Sequence, residues 1–339
     1  MISIIVCSRS KADYDAFERN ARETVGIEAE FIRIDNSEGK YSIFEAYNLG
    51  MDQARGDLLC FAHEDICFHT PNWGKRCESH FRKHPSLGLL GVAGGTIFPK
   101  GCDWRAIGEG GQCDFLQRFA TLEQHPRTFT AYIRNKTHKK LTEVVAIDGL
   151  WMVMRSSLSG AVRFDTETFH SFHLYDTDLS MQVRKAGSKV AVCKDILIEH
   201  FSTGTFAQEY FDVLEVCLRK WDSFLPVMLR PLKPDTPPMD VVMKEYKADR
   251  LEEADLRRKI REGSLDELTQ EQKDLIRPNV RLFHHVWEKQ SPTMEASYKE
   301  IDKSFDAGLI TLEEANYFRR KTFLYHTILK PLVKKKMAL

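Results

Sequence analysis

The sequence predicts an α/β fold, a mixed and mostly parallel sheet flanked by helices, with an all-helical C-terminal extension. Three observations predict it. Short apolar runs alternate with helix-periodic segments over roughly the first 100 residues. Polar clusters close several of those runs. Pro231, Pro234, Pro237 and Pro238 then break the pattern, and the chain beyond them reads as helix. The expected division is therefore 1–230 for the α/β part and 231–339 for the extension.

Taken in order, Ile2–Cys7 is a buried strand, Lys11–Glu23 a helix, and Glu28–Asp35 alternates as a second strand. Ser42 and Glu45 form a capping box ahead of Ile43, Ala46, Tyr47, Met51 and Ala54 at helical spacing, and Gly56 is the expected stop. Leu58–Ala62 is a strand ending abruptly in His63-Glu64-Asp65. A Trp73–His84 helix and a Leu89–Ala93 strand continue the alternation, which predicts parallel strands covered by helices. From Gly94 to Glu143 the chain is richer in Gly, Arg and His and reads as a long binding segment. Strand character returns at Val144–Ile147 and Trp151–Arg155. Asp176–Ala186 is a helix stopped by Gly187, and Lys189–Cys193 and Ile196–Ile198 are apolar runs. In the extension, Thr311 and Glu314 form a capping box. Met294, Tyr298, Ile301 and Phe305 make one apolar stripe, read as a packing face rather than a cofactor groove.

Composition narrows the function classes. Of 339 residues, 42% are hydrophobic and 29% charged, ordinary for a globular protein. The formal net charge is zero, so no global attraction to nucleic acid or anionic lipid is expected. The 8 cysteines include no C-x-x-C pair, so neither a zinc knuckle nor a dithiol motif is indicated, and several lie in apolar runs as reduced thiols would. No run approaches the ~18–20 apolar residues needed to span a bilayer, and the N-terminus carries no secretory pattern. The expected compartment is the cytoplasm. The closing Leu329–Lys336 stretch joins apolar and basic residues, open to reading as a solvated tail or as a weak membrane-surface contact.

In open α/β sheets ligands bind beyond the carboxyl ends of strands. Cys7-Ser8-Arg9, Asp35-Asn36-Ser37 and His63-Glu64-Asp65 all fall at such ends. Carboxylates directly after a strand are rigidly placed to hold a divalent cation with open positions left for diphosphate oxygens; the alternative is a solvated acidic turn. Asp176 and Asp178 open a helix, either as ordinary first-turn residues or with one carboxylate serving as general base. His200 after an apolar run is either a structural imidazole or, if it converges with Asp65, part of a metal shell. His170 and His173 are too few for a closed zinc site, and an acceptor-side or structural role is expected, His173 being the acceptor-side candidate. Trp104 is either an aromatic platform for an acceptor sugar or core.

In this order the motifs resemble family 2 glycosyltransferases of the GT-A, Rossmann-like fold, over roughly Met1 to Pro226. The stretch Asn48–Gly56 followed by Asp57-Leu58-Leu59-Cys60-Phe61 carries the likeness most strongly. The resemblance implies that Cys7, Ser8, Arg9, Asp35, Asn36, Ser37 and Glu64 hold the nucleotide. It also implies that Asp148 and Gly149 border the donor sugar, with Arg155 in the same segment, and that Asp65, His200 and His63 bind metal. His63-Glu64-Asp65 stands where the family keeps Asp-x-Asp. His63 there, with Phe164-Asp165 and His173–Leu179 downstream, is similar to the subgroup of the streptomycin-biosynthesis glycosyltransferase-like protein. Asp176 aligns with the catalytic carboxylate, Tyr175 replacing the usual Glu.

The resemblance implies an inverting transfer of a sugar from a nucleotide-diphosphate donor, UDP-sugar favoured, to a hydroxyl of a glycan or lipid-linked acceptor. It further implies Mn²⁺ or Mg²⁺ assistance and a role in polysaccharide biosynthesis. A homodimer through the C-terminal helices is also considered. The rival from another class is a catalytically degenerate sugar-nucleotide-binding or scaffold protein, favoured by His63 and Tyr175. A nucleotidyltransferase is disfavoured, because Ser8-Arg9-Ser10-Lys11 lacks a glycine-rich phosphate loop.

Overall fold

The computed structural model describes residues 1–109, 121–122, 140–200 and 206–262, and beyond these only 269, 298–299, 301–302, 305–306, 315–319 and 322. The chain divides into two compact units, Met1–Arg250 and Leu251–Leu339.

The chain order is β1 (Ile2–Ser8), α1 (Lys11–Thr24), β2 (Ala29–Asp35), α2 (Ile43–Gln53), β3 (Leu58–Ala62), β4 (Ile66–Phe68), α3 (Trp73–Lys83) and β5 (Leu87–Gly91). It continues through β6 (Gly94–Gly95), β7 (Ile97–Phe98), α4 (Trp104–Glu109), β8 (Thr121–Leu122), β9 (Leu141–Val144), β10 (Ala146–Ile147) and β11 (Trp151–Arg155). Then come α5 (Tyr175–Lys185), β12 (Lys189–Cys193), β13 (Ile198–His200), α6 (Gln208–Trp221), β14 (Val227–Met228) and α7 (Met239–Glu262).

The main sheet has 7 strands in the order β2-β1-β3-β11-β5-β12-β9. β1 pairs in parallel with β2 and β3, and β12 with β5, while β11 runs against both its neighbours and β9 against β12. The sheet is therefore mixed and mostly parallel, as the alternation predicts. Continuous burial of β3 and β5 explains why both read as unbroken apolar runs rather than alternating ones. On one face, Tyr14 and Phe17 of α1 and Trp73 and Phe81 of α3 join Ile2, Ile4 and Val6 in a single cluster. Trp73 stacks on Phe68 at 4.3 Å and meets Trp151 edge-on at 5.9 Å. Burying each such ring contributes on the order of 2–3 kcal/mol relative to exposure.

The Ser42–Glu45 capping box forms in both directions. Gly56 has a different job from the one its position suggests. The helix is already capped at Ala54, and Gly56 instead lets the chain pass close to Ser3, whose Oγ accepts its N–H at 2.8 Å. Gly187 at φ +81° does end α5. Val144–Ile147 splits between β9 and β10, and the Ile196–Ile198 run becomes β13 only from Ile198. Pro231, Pro234, Pro237 and Pro238 lie in the irregular stretch before α7.

Within the second unit Ile301, Ala315 and Phe318 are buried, Phe305 is exposed, and Arg319 pairs with Asp302. Met294, the Thr311–Glu314 capping box and Leu329–Lys336 lie outside the described residues, as does most of the Gly94–Glu143 segment beyond Glu109. Among the described residues, no helix is long and apolar enough to cross a membrane.

Candidate active site

The main-chain ladder carries the site residues to one place. His63 N donates to Leu150 O at 3.0 Å, extending the β3–β11 pairing by one step beyond Ala62↔Trp151. That step lays Asp148-Gly149-Leu150 beside His63. β13 pairs with β4 in the register His200↔Ile66, which brings His200 next to Asp65. His63, Asp65 and His200 thereby offer ligand atoms that all lie within 4.8 Å of one another. His200 Nε2 is 3.4 Å and His63 Nδ1 3.8 Å from Asp65 Oδ1.

His63 is turned so that Nδ1 faces Asp65 while Nε2 shares a 2.6 Å hydrogen bond with the Tyr175 hydroxyl. Its pKa is lowered to about 4, by burial first and then by repulsion from His200, with Asp65 and Asp148 opposing. The imidazole is thus neutral at pH 7, the form that ligates a cation. Tyr175 reaches this position because residue 149 is glycine; a Cβ there would overlap the tyrosine hydroxyl.

Asp176 lies one residue on, at the start of α5, with only 6% of its side chain exposed. Arg105 Nη2 donates to its Oδ2 at 2.7 Å, and Thr177 N to its Oδ1 at 2.6 Å. Burial pushes its pKa up, Arg105 pulls it down, and Asp148 adds to the rise. Asp148, 29% exposed, has Oδ2 3.7 Å from the same Arg105 nitrogen. Asp148 N donates to Ala93 O, anchoring this loop to the end of β5.

The sequence-assigned nucleotide residues divide by what they do. Asp35 is exposed at the end of β2, its pKa lowered chiefly by hydrogen bonds from Ser37, with burial slightly opposing and Arg33 assisting. Ser37 and Arg9 are exposed beside it. Glu64 accepts from Arg9 N at 3.0 Å and Ser10 N at 3.3 Å, tying the end of β3 to the β1–α1 loop. Asn36 is buried and spans its own loop, donating to Tyr41 O and accepting from Tyr41 N. Ser8 is buried and accepts from Arg33 Nε at 3.0 Å. Cys7 is half-buried, burial raising its thiol pKa. Glu64, Asn36 and Ser8 thus hold these loops together, while Arg9, Asp35 and Ser37 are exposed.

Two aromatic positions depart from the expectation drawn from sequence. Trp104 is 1% exposed, pressed on Gly95, with its Nε1 donating to Thr177 Oγ1 at 3.0 Å and Arg105 stacked on its ring. It offers no open face. Phe172, which no sequence motif singles out, is 47% exposed, its ring 5.9 Å from His63 and 6.0 Å from Tyr175. His173 packs edge-on against Tyr210 at 5.4 Å. Leu174 closes this loop at φ +64°, a left-handed conformation costing a branched residue about 1–2 kcal/mol. Asp178 is a structural residue: Lys220 and Trp221 bind its carboxylate at 2.5 and 2.9 Å. Arg155 is structural too, its guanidinium donating to Leu87 O and Phe81 O. Arg105 is a second site residue that motif reasoning misses. Its signal is a lone cation inside Trp104-Arg105-Ala106-Ile107, where apolar neighbours demand a buried partner. Two clefts of about 750 and 690 Å³ lie elsewhere, along α3 and behind α5.

Fold and site together define an α/β protein whose polar chemistry gathers beyond the carboxyl ends of its parallel strands. Residues 3–218 match the glycosyltransferase-like family, and the chain belongs to it. A search of curated proteins returns no match. Among solved structures, GalNAc-T7 with UDP, GalNAc and Mn²⁺ is similar at TM-score 0.44 and 11% identity, over 63% of this chain and 47% of that one. The chain thus spans about half the length of that protein. S. aureus TarS 1–349 in complex with UDP-GlcNAc gives TM-score 0.42 and 11% identity over 95% and 89% of the two chains. The catalytic domain of Drosophila β1,4-galactosyltransferase 7 in complex with xylobiose gives 0.36 and 12% over 60% and 71%.

Proposed function

We propose that this glycosyltransferase is a metal-assisted, inverting enzyme that takes a sugar from a nucleotide-diphosphate donor, UDP-sugar by preference, and delivers it to an acceptor hydroxyl. The observation that carries the reading is the convergence of His63, Asp65 and His200, brought together by two independent strand pairings. The donor set suits a divalent ion. One carboxylate and two imidazoles fall short of a closed shell and leave positions for phosphate oxygens. Two nitrogen donors favour Mn²⁺ over Mg²⁺, which prefers oxygen. When bound, the ion supplies counter-charge to the diphosphate leaving group.

The chain's own residues do the rest. Asp35, Ser37 and Arg9 are placed to hold the nucleotide at the ends of β1 and β2. Asp148 and Gly149 border the donor sugar. Asp176 takes the proton of the acceptor hydroxyl as that oxygen attacks the anomeric carbon; the bond to the diphosphate breaks on the opposite face, and the configuration inverts. Phe172 takes over from Trp104 as the acceptor-side aromatic, with His173 behind it. His63 in the first motif position, together with the Phe164-Asp165 and His173–Leu179 patterns, supports membership of the streptomycin-like subgroup. A glycan or lipid-linked acceptor, a membrane contact through the basic C-terminus and chain pairing through the 231–339 extension belong to the same proposal, and rest on sequence alone.

The test is titration calorimetry with UDP and GDP, each with and without Mn²⁺, on the native protein and on Asp65→Ala. Mn²⁺-dependent binding of one nucleotide, abolished by the substitution, is expected. Metal-independent binding of equal strength in both proteins overturns the metal assignment. Binding without release of free UDP from any donor supports the degenerate reading instead.

A further inference from the structure

Arg105 is the one cation paired with the buried carboxylates of Asp103 and Asp176 among the described residues. Its side chain is 7% exposed and fixed from several directions. Nη2 donates to Asp176 Oδ2 at 2.7 Å and lies 3.7 Å from Asp148 Oδ2. Nη1 donates to Thr177 Oγ1 at 3.3 Å and to the Tyr210 hydroxyl at 3.4 Å, and lies 3.9 Å from Asp103 Oδ1. The Tyr210 hydroxyl in turn donates to Asp103, which also accepts Arg105 N at 3.0 Å, so the anchor of the guanidinium is itself anchored. The Trp104 ring, 4.3 Å away, covers the guanidinium. A planar fork held at both ends spans the gap between the residue assigned to the acceptor and the residue assigned to the donor sugar, a geometry that lysine's single ammonium cannot reproduce.

We infer that Arg105 is the positioning residue of the transfer step, a guanidinium that keeps Asp176 anionic and aimed while bracing Asp148 on the donor side. The inference rests on the base assignment given to Asp176. It explains how a carboxylate so deeply buried stays available as a proton acceptor: without a paired cation, an enclosed Asp is already protonated and has no free oxygen to take another proton. Among the described residues, the groups that interact with Asp176 include Arg105 of α4, Asp148 after β10, Tyr47 of α2, Tyr175 of α5 and Cys217 of α6. Arg105 alone among them is cationic. Removing it leaves Asp148 to raise the Asp176 pKa further.

The experiment compares native protein, Arg105→Gln, Arg105→Lys, Tyr210→Phe and Asp176→Asn, reading kcat and KM against pH, with Mn²⁺–UDP binding and melting temperature alongside. Arg105→Gln is expected to lower kcat at least a hundredfold and to move the acid limb of kcat up by about 1–3 pH units, with nucleotide binding unchanged. Arg105→Lys restores part of kcat and most of the limb's position, and Tyr210→Phe, which keeps all charges, moves kcat less than tenfold. A folded Arg105→Gln enzyme whose acid limb stays in place overturns the inference. Should Arg105→Gln fail to fold, native kcat in a folded Arg105→Lys enzyme overturns it equally, since the fork geometry is then not needed. Asp176→Asn separates the two layers: if it keeps native kcat, the base assignment falls, whereas an inactive Asp176→Asn beside an unaffected Arg105→Gln removes only the role given to Arg105.

Discussion

The Tyr175 hydroxyl and His63 Nε2 meet at 2.6 Å directly over Gly149. Three segments distant in sequence are interlocked at this point, so residue identity at each constrains the others. In the tautomer that leaves Nδ1 free for a cation beside Asp65, the proton sits on Nε2 and the tyrosine oxygen accepts its hydrogen bond. Tyr175→Phe removes that partner while keeping the ring, and is expected to weaken Mn²⁺ affinity about 10–100-fold, read by titration of Mn²⁺ in the presence of UDP. Undiminished affinity would mean that His63 is not held for metal by this bond.

Gly149→Ala probes the same junction from the backbone side. Its Cβ would collide with the hydroxyl rather than with a flexible chain end, because Tyr175 is packed by Phe44, Tyr47 and Phe164. Overpacking of this kind costs about 1–3 kcal/mol, expected as a lowered melting temperature. In the double substitution with Tyr175→Phe, part of that loss is recovered, since the hydroxyl oxygen is gone.

Much of this arrangement is legible in the sequence because its signals are local. Apolar runs mark β1, β3 and β12, and the Ser42–Glu45 box marks the start of α2 to the residue. The ends of the strands point to Asp35 and Asp65 before any contact is known, whereas Asp148 enters only through the family resemblance. Arg105 and Phe172 are less legible, since what distinguishes them is a tertiary fact: one is a cation enclosed by carboxylates, the other an aromatic left outside. Trp104 shows the converse. A tryptophan in a polar, glycine-rich stretch looks available for a sugar, yet Gly95 admits its ring into the interior. Motif position assigns Glu64 and Asn36 to the nucleotide; that both also tie loops together through hydrogen bonds is a tertiary fact no spacing reveals.

Phe172 is 47% exposed, so its loss tests a binding role at little cost to the core. Phe172→Ala is expected to raise acceptor KM roughly tenfold, the scale of one aromatic contact worth about 1 kcal/mol or a little more, with melting temperature and donor KM unchanged. A rise in donor KM alone would move the ring to the donor side.

Asp165 supplies the pH dependence of the scaffold. Burial works to raise its pKa, but hydrogen bonds from Lys220 and Thr168 outweigh it and hold the carboxyl at about 2, below its ordinary 3.8. A depressed folded-state value means that the unfolded chain binds the proton more readily. The stabilisation is therefore present above pH 3.8 and is lost as pH falls through about 2. It amounts to at most about 2 kcal/mol at neutral pH once solvent screening is allowed for. Asp165→Asn should lower stability at pH 7 and flatten the acid end of the melting curve; an unchanged curve would show that Lys220 is already satisfied by Asp178.

Lys220 joins that pair to a deeper one. Its ammonium lies 2.7 Å from Asp165 and 2.5 Å from Asp178, whose side chain is 1% exposed and also accepts from Gln182 and Trp221. Burial raises the Asp178 pKa, and Lys220 is the chief group holding it down. Lys220→Met keeps the apolar stem against Phe169 and Trp221 but leaves Asp178 enclosed without its cation. Breaking a buried pair in this way costs about 3–5 kcal/mol, so chemical denaturation should show a large loss of stability. Lys220→Met combined with Asp178→Asn should recover most of it, because the uncompensated charge is then absent. If the single substitution is as stable as the native protein, Asp178 is already neutral in the folded state, and the hydrogen bonds from Gln182 and Trp221 suffice to hold α5 against α6.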